Sequence, residues 1–417
     1  MQGRSTRRQD VARKMAWLAG FSAAALLVVP KGLSVFAVLL LLATLAALPD
    51  AWRNKRVVPR ALPLLLAAAL VVVVVVALSM LAVDAPLTML DNPSRALLLP
   101  WCAWLAWVTR VRVSSLWFGA LAGLLVAFAI SVAQVSLGVE RVGSDANPIV
   151  FANAVLALLV IAVFCRPAQG RWPMHLLMVV VIVLANVAVI FSGSRGVLPG
   201  LGLVVLMLIV GTATRHRWWK LGGALGLLAV LFAAMWMVPW LSAQFRLDQL
   251  HADVSGFENG EVDKPISARI ALLSVAWDAF RASPLTGVGI DAFGDQVDRS
   301  LYCHNEERHF CGLEHAHNDL AQWGATMGVA GVFALAAWYL VPLGIAARRI
   351  RQAQLGVPVG AAWTAAMLVV SYLVSGVTQS MFSHALSTSA FVVFVGLLLG
   401  SALSSEDAAA GDVISHW

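Results

Sequence analysis

Long apolar runs separated by short polar segments make up most of this chain. Twelve such runs can be traced, with approximate limits 15–29, 33–48, 61–83, 96–109, 116–137, 149–164, 176–191, 197–213, 221–240, 318–346, 357–377 and 387–403. A helix needs roughly 20 residues to cross the apolar core of a bilayer, and fewer where protein shields the span. The pattern therefore predicts an all-α, polytopic membrane bundle of about twelve transmembrane helices.

Composition supports a membrane protein. Of the 417 residues, 60% are hydrophobic and 12% are charged, whereas soluble proteins have roughly half and a quarter. This balance excludes a soluble globular fold and a disordered chain. The formal net charge is +7, but the basic residues form small clusters between apolar runs, so we expect no nucleic-acid partner.

The distribution of Lys and Arg predicts the orientation. If the N-terminus is cytoplasmic, the cytoplasmic segments hold 19 of the 29 basic residues and the short outer loops hold 4. The other 6 lie in one long loop, which the rule does not count. We therefore expect both termini in the cytoplasm, and the first run to be a retained helix after its basic start.

The long loop, Leu241–Glu314, separates the ninth and tenth runs and is too long for a simple connector. Its stretch from Ala268 to Phe280 has helical apolar spacing and ends before Ser283-Pro284. The sequence thus predicts a helical periplasmic cap. The expected organisation is a membrane bundle (1–240), a cap loop (241–316), a second part of the bundle (317–403) and a cytoplasmic tail (404–417).

Two cysteines, Cys303 and Cys311, lie eight residues apart in this loop. An oxidising compartment would allow a disulfide between them. Two free thiols, or a metal site shared with His304, His309 or His315, are the alternatives that the spacing leaves open.

Two arginines at the predicted outer boundary are candidate ligands for phosphate. Arg195 lies between Ser194 and Gly196 in a tight hairpin, where glycine permits close backbone approach and a guanidinium can form a fork onto phosphate oxygens. Arg269 begins the helical stretch of the cap. The alternative for Arg195 is an ordinary arginine at a helix end whose side chain extends to the interface. The alternative for Arg269 is a solvated surface arginine. The loop also holds other basic residues: Arg246, Lys264, Arg281, Arg299 and Arg308.

A third candidate is the polar entry to the tenth run, where His315, His317 and Asn318 precede an apolar helix. A neutral imidazole there could accept a proton from a sugar hydroxyl, although an interfacial polar cap is the simpler alternative. Three glycines follow and could give one helix face close packing: Gly324, Gly328 and Gly331. Acidic residues lie outside the interiors of the runs, which argues against a proton-coupled transporter.

The pair His317-Asn318, followed after nine residues by Gly328-x-x-Gly331, resembles the signature of bacterial O-antigen ligases. The 194–196 hairpin and the Arg269 helix with the turn after it also resemble that superfamily, which includes O-antigen polymerases and protein O-oligosaccharyltransferases. The single large outer loop favours a ligase, since polymerases tend to carry two. Val332-Phe333 departs from the more usual small or aromatic pair that ends the signature.

The resemblance implies a GT-C-like, inverting glycosyltransferase of the bacterial inner membrane whose active site faces the periplasm. It would move O-antigen from undecaprenyl diphosphate to a sugar hydroxyl of lipid A–core, without metal or cofactor, among membrane lipids. His317 would be the catalytic base, and Arg195 and Arg269 would bind diphosphate. The secondary candidates are His315, Asn318, Ser194 and Gly196.

Other functions remain open. An O-antigen polymerase or a protein O-oligosaccharyltransferase would use the same lipid carrier. A non-enzymatic transporter of lipid-linked glycans is a reading from a different class, but it would need basic residues inside the bundle, and the interiors of the runs contain none.

Overall fold

The computed structural model describes residues 7–54, 57–144, 147–166, 172–212, 237, 265–303, 311–353 and 360–414. Within these ranges the regular structure is helical and contains no strand. The helices are α1 (Arg7–Ala25), α2 (Leu33–Asn54), α3 (Ala61–Ala82), α4 (Asp91–Ser94), α5 (Leu98–Thr109), α6 (Ser114–Ser136), α7 (Pro148–Phe164), α8 (Trp172–Ser192), α9 (Leu198–Thr212), α10 (Pro265–Ala282), α11 (Phe293–Asp298), α12 (Asp319–Ala353), α13 (Ala361–Gly376) and α14 (Ala385–Ile414). Short 3-10 turns occur at Leu87–Leu90, Arg95–Leu97, Arg195–Val197 and Met381–Ser383.

Every predicted run except the ninth overlaps one of these helices. The ninth run, 221–240, lies outside the described residues apart from Met237, as do residues 241–264 and 304–310 of the predicted cap. The helical stretch expected in the cap is present as α10, which ends at Ala282, directly before Ser283-Pro284. The apolar runs therefore predicted the positions of these helices correctly, because each run is an uninterrupted stretch of apolar sequence.

Five of the described helices are long and apolar enough to cross a membrane, judged by length and composition: α3, α6, α8, α12 over Asp319–Gln352, and α14 over Ala385–Ser404. Shorter apolar helical stretches occur at Leu33–Pro49, Pro148–Phe164, Arg195–Met207 and Ala361–Gly376. The protein is thus an all-helical chain with several candidate membrane spans. The count of twelve spans and the periplasmic position of the cap stay predictions.

Loops that the charge pattern assigns to the same side of the membrane contact one another. On the predicted outer side, Thr378 Oγ1 donates a hydrogen bond to the carbonyl oxygen of Gly196 at 3.4 Å. On the other side, the amide of Gly360 donates to the carbonyl oxygen of Phe164 at 2.7 Å. The α8–α9 turn therefore meets the loop between α13 and α14, and the end of α7 meets the start of α13.

The main core lies between these helices, and small residues allow the closest approaches. Helix α14 packs along α5, where a Cβ atom at Gly396 or Gly400 would overlap the carbonyl oxygens of Leu99 and Ala103. Such contacts between backbones are typical of helices that associate in lipid. Helix α7 is central, since its side chains from Val150 to Phe164 are buried.

The described part of the predicted cap has a small core of its own. Leu272 and Val275 of α10 pack with Phe293 and Val297 around α11, next to the start of α12. Cys303 and Cys311 are joined by a disulfide beside this core, which is one of the three arrangements that the sequence left open. The disulfide holds the end of the loop close to the segment that leads into α12.

Candidate active site

Arg195 lies in the tight turn between α8 and α9, at the outer end of the bundle in the predicted topology. Gly193 adopts the left-handed conformation there (φ 61°), and Ser194 is buried beneath the turn. Gly196 packs closely on Thr378, because a Cβ atom at Gly196 would lie 2.8 Å from Thr378 Oγ1. Ser194 and Gly196 therefore shape the turn that presents Arg195.

Arg269 approaches this turn from α10. Burial lowers the pKa of Arg269, and the positive charges of Arg195 and Arg141 lower it further. Arg141 lies between α6 and α7, and its Nε donates to the carbonyl oxygen of Ser192 at 3.2 Å. Three guanidinium groups thus share one region, although they come from three separate parts of the chain.

The other basic residues of the cap loop do not define this cluster. Arg281 and Arg299 are exposed, and Arg299 lies 3.9 Å from the carboxylate of Asp295. The remaining competitors lie outside the described residues: Arg246, Lys264 and Arg308.

His317 and Asn318 form the entry to α12. The side chain of Asn318 accepts a hydrogen bond from the amide of Ala321 at 2.9 Å and donates one to the carbonyl oxygen of Val377 at 2.9 Å. Asn318 therefore caps the helix N-terminus and ties it to the end of α13. His317 is left-handed (φ 52°), a conformation that is uncommon outside glycine, so the imidazole is displaced from the helical path.

A chain of polar side chains extends from His317 into the loop between α13 and α14. His317 Nδ1 lies 2.8 Å from Gln379 Oε1, and Gln379 Nε2 lies 2.7 Å from His384 Nε2. The rings of His384 and His315 meet edge to face, with centroids 5.8 Å apart. The Gln379 amide therefore links His317 to His384, and the ring contact adds His315 to the group.

Electrostatics keep these imidazoles neutral. Burial lowers the pKa of His317, and the nearby positive charge of Arg269 lowers it further, while the hydrogen bond to Gln379 partly opposes both effects. Burial also lowers the pKa of His315, against the opposing charge of Glu314. The pKa of His384 falls to about 4, chiefly through burial. At neutral pH His317 therefore has an unprotonated nitrogen. The charge of Arg269 acts on it, which places the candidate base beside the arginine cluster.

The turn after α10 binds to the backbone of α12. The amide of Val288 donates to the carbonyl oxygen of Ala325 at 2.9 Å, and the amide of Val329 donates to that of Pro284 at 2.8 Å. Helix α12 is interrupted at Gly328 (φ 61°, ψ −151°). These contacts connect the helix that carries Arg269 to the helix that follows His317.

Gly328 differs from the prediction of one continuous glycine face. A Cβ atom there would lie 2.6 Å from the carbonyl oxygen of Pro284, and its backbone conformation is essentially restricted to glycine. Gly331 faces the carbonyl oxygen of Trp323 in its own helix, and Gly324 makes only ordinary contact with Phe280. The first and last of these glycines are spaced for a helix face, but the middle one breaks the helix.

Asp319, the first residue of α12, is buried (3% exposed). Its carboxylate accepts hydrogen bonds from Tyr339 Oη at 2.9 Å and from the amide of Phe382 at 3.3 Å. The carboxylate therefore holds the loop that carries Gln379 and His384 against the start of α12.

Sequence reasoning did not identify Arg141, Asp319, Gln379 or His384. A usable signal existed for the last two, since they lie in a polar segment between the eleventh and twelfth runs, on the same predicted side as the three chosen sites. Among the described residues, no group of three or more His, Cys, Asp or Glu side chains is arranged to hold a metal ion.

Residues 179–336 match a protein-family model described as O-Antigen ligase. The matched region contains Arg195, Arg269 and His317. No curated protein matches the chain. The match supports an O-antigen ligase-family protein.

Proposed function

We propose that this O-antigen ligase-family protein is a glycosyltransferase that moves O-antigen from undecaprenyl diphosphate to a sugar hydroxyl of lipid A–core. The observation that carries the proposal is the proximity of a neutral, half-buried His317 to Arg269, and of Arg269 to Arg195 and Arg141. A base beside a cationic cluster is the arrangement that sugar transfer from a diphosphate carrier requires.

The arginine cluster supplies the countercharge for the leaving group. As the bond between the anomeric carbon and the phosphate oxygen breaks, its electron pair passes to the diphosphate, whose charge rises. Guanidinium groups bind phosphate oxygens through charge-assisted, often paired hydrogen bonds, and groups held in place before the reaction stabilise developing charge most effectively. Arg195 and Arg269 are assigned this role, and Arg141 is placed to add a third positive charge.

His317 is assigned the role of general base. Its unprotonated nitrogen takes the proton of the acceptor hydroxyl as the hydroxyl oxygen attacks the anomeric carbon opposite the leaving diphosphate. One displacement of this kind inverts the anomeric configuration, and no bond to the protein forms. Positioned bases of this type contribute about 10²–10⁴-fold in rate.

The surroundings of the site suit a lipid-linked donor. An apolar groove of about 530 Å³ lies between α12 and α13 and is lined by Asn318 together with Leu320, Leu340, Leu373 and Val377. We assign the polyprenyl tail to this face, because it would keep the tail in lipid while the diphosphate reaches the arginines. His315, on the other side of the histidine group, lines a separate cavity of about 170 Å³ with Gln322 and Asn92, and we assign it to acceptor contact.

We also propose that the site faces the periplasm from the bacterial inner membrane and needs no metal ion. The 19-to-4 distribution of basic residues between the two sides supports this orientation. Metal independence follows from the assigned arginines, since they carry the charge that a divalent cation would otherwise supply.

One reconstitution tests the proposal against its relatives. The purified protein is incubated with lipid-linked O-antigen and separately offered lipopolysaccharide that lacks O-antigen, unpolymerised lipid-linked repeats, or a protein acceptor. Transfer to lipopolysaccharide that is lost in His317→Ala supports the ligase. Chain growth on the lipid carrier would indicate a polymerase, and transfer to protein would indicate an oligosaccharyltransferase. Movement of the lipid across vesicles without any transfer would indicate a transporter.

A further inference from the structure

Gln379 is almost fully buried (1% exposed) and bridges two imidazoles. Its Oε1 lies 2.8 Å from His317 Nδ1, and its Nε2 lies 2.7 Å from His384 Nε2. An amide oxygen only accepts hydrogen bonds, and an amide nitrogen only donates them. With the amide in this orientation, His317 Nδ1 carries a proton and His384 Nε2 does not.

This assignment leaves the lone pair of His317 on Nε2. In a neutral imidazole one nitrogen is a donor and the other an acceptor, and the partner of the first decides which atom remains basic. Without this partner, the imidazole populates both tautomers and rotates more freely. Only a fraction of the His317 side chains is then ready to take the proton of the acceptor sugar's hydroxyl.

We propose that Gln379 is a positioning residue that holds His317 in the tautomer protonated at Nδ1, and that His384 fixes the orientation of the Gln379 amide. This inference rests on the proposed function, since it requires His317 to be the base. A His384 protonated at Nε2 would need an acceptor, and the amide would have to reverse to supply one. The reversed amide would offer a donor to His317 Nδ1 and would favour the unproductive tautomer.

The groups that face His317 come from three elements. Arg269 faces it from α10, His315 from its own segment, and Gln379 from the loop before α14, with His384 behind Gln379. Arg269 keeps its charge at any working pH. The low pKa of His384, about 4, keeps it neutral during catalysis. A change in the pH profile on substitution of Gln379 therefore reports on the contact between Gln379 and His317.

Two substitutions of Gln379 separate the effect of its hydrogen-bond acceptor, Oε1, from that of the rest of the side chain. Gln379→Met keeps the length and the apolar burial but removes both hydrogen bonds. We expect kcat to fall about 10- to 100-fold, a part of what a general base supplies, with the KM for the lipid-linked donor little changed. In the wild type the hydrogen bond to Gln379 raises the pKa of His317. Its loss should lower that pKa, so the acid limb of the pH profile should move to lower pH.

Gln379→Glu keeps an acceptor for His317 and adds a negative charge, which raises the pKa of a neighbouring imidazole. The rate at high pH should stay close to that of the wild type, while the acid limb moves to higher pH. The matched control is Ser380→Ala. Ser380 is the next residue and is buried, and its hydroxyl has no hydrogen-bond partner in the described part of the chain, so its profile should match the wild type.

All variants are measured from pH 5 to 9 with purified protein, lipid-linked O-antigen and lipopolysaccharide that lacks O-antigen. His317→Ala is included so that two failures can be distinguished. Wild-type activity in His317→Ala would overturn the proposed base and this inference together. An inactive His317→Ala with a wild-type rate and profile in Gln379→Met would overturn the positioning role alone. A Glu variant as inactive as the Met variant would also overturn it, because Glu keeps the acceptor. If Gln379→Met does not fold, the acid limb of Gln379→Glu tests the positioning role. A shift to higher pH would support the role, and an unchanged limb would overturn it.

Discussion

Replacing His317 with alanine is the most direct perturbation of the proposed chemistry. The substitution removes the imidazole but leaves Arg195 and Arg269 in place, so the carrier lipid should still bind. Loss of a general base costs about 10²–10⁴-fold in rate, or about 3–5 kcal/mol of barrier at 1.36 kcal/mol per tenfold. We expect the fall to appear in kcat and not in the affinity for the donor.

The environment of His317 also predicts its pH dependence. The pKa of His317 lies below that of a free histidine, because burial and the charge of Arg269 outweigh the effect of the hydrogen bond that His317 donates to Gln379. Protonation occupies the lone pair that the reaction needs. The wild-type rate should therefore be level at neutral pH and fall only as the pH drops through this lowered value. His317→Ala should lack that limb.

A neighbouring histidine provides the matched control. His315 is two residues away and contacts the same His384 ring, but it has no contact with Gln379 among those described. His315→Ala should therefore retain more activity than His317→Ala when both are measured with the same purified donor and acceptor. The assignment is refuted if His317→Ala ligates at the wild-type rate, or if His315→Ala suffers the larger loss.

Three further predictions address the cations and the break in α12. Arg195→Ala and Arg269→Ala should each nearly abolish transfer and weaken retention of polyprenyl diphosphate. Lysine at either position should restore activity only partly, because it lacks the fork geometry of arginine. Wild-type rates in both alanine variants would contradict the diphosphate assignment. Activity should persist in excess EDTA, and a loss that Mg²⁺ or Mn²⁺ restores would disprove metal independence. Gly328→Ala should lower the free energy of unfolding by about 1–3 kcal/mol, because the added Cβ would overlap the Pro284 carbonyl oxygen. Gly344 lies in the same helix with open space around it, so Gly344→Ala should be neutral or stabilising in the same thermal unfolding assay. Equal effects of the two substitutions would refute the reasoning.

The arrangement of the site follows from loops that meet at one end of the bundle. Thr378 connects the Arg195 turn to the loop that carries Gln379, and Asp319 connects that loop to the start of α12. The turn at Pro284 then ties the Arg269 helix to the interruption at Gly328. A displacement of any one connection should therefore change the separation between the base and the cations.

The sequence by itself determined the class of protein and the positions of most helices. Continuous apolar runs specify helices because in lipid each backbone group must find its partner within its own segment. The pair His317-Asn318, the Arg195 turn and the Arg269 helix were also recognisable, because each is a short pattern whose chemistry is local. The spacing of Cys303 and Cys311 allowed a disulfide without deciding it.

Only the tertiary structure decided which of these groups meet. Gln379 lies 62 residues from His317, and Arg141 is still further from Arg269 along the chain, so no local pattern could pair them. The break at Gly328 depends on the approach of the turn at Pro284, and the burial of Asp319 depends on contacts with Tyr339 and Phe382. Each is a long-range packing contact, and such contacts are set by how whole helices fit together and not by the residues next to them in sequence.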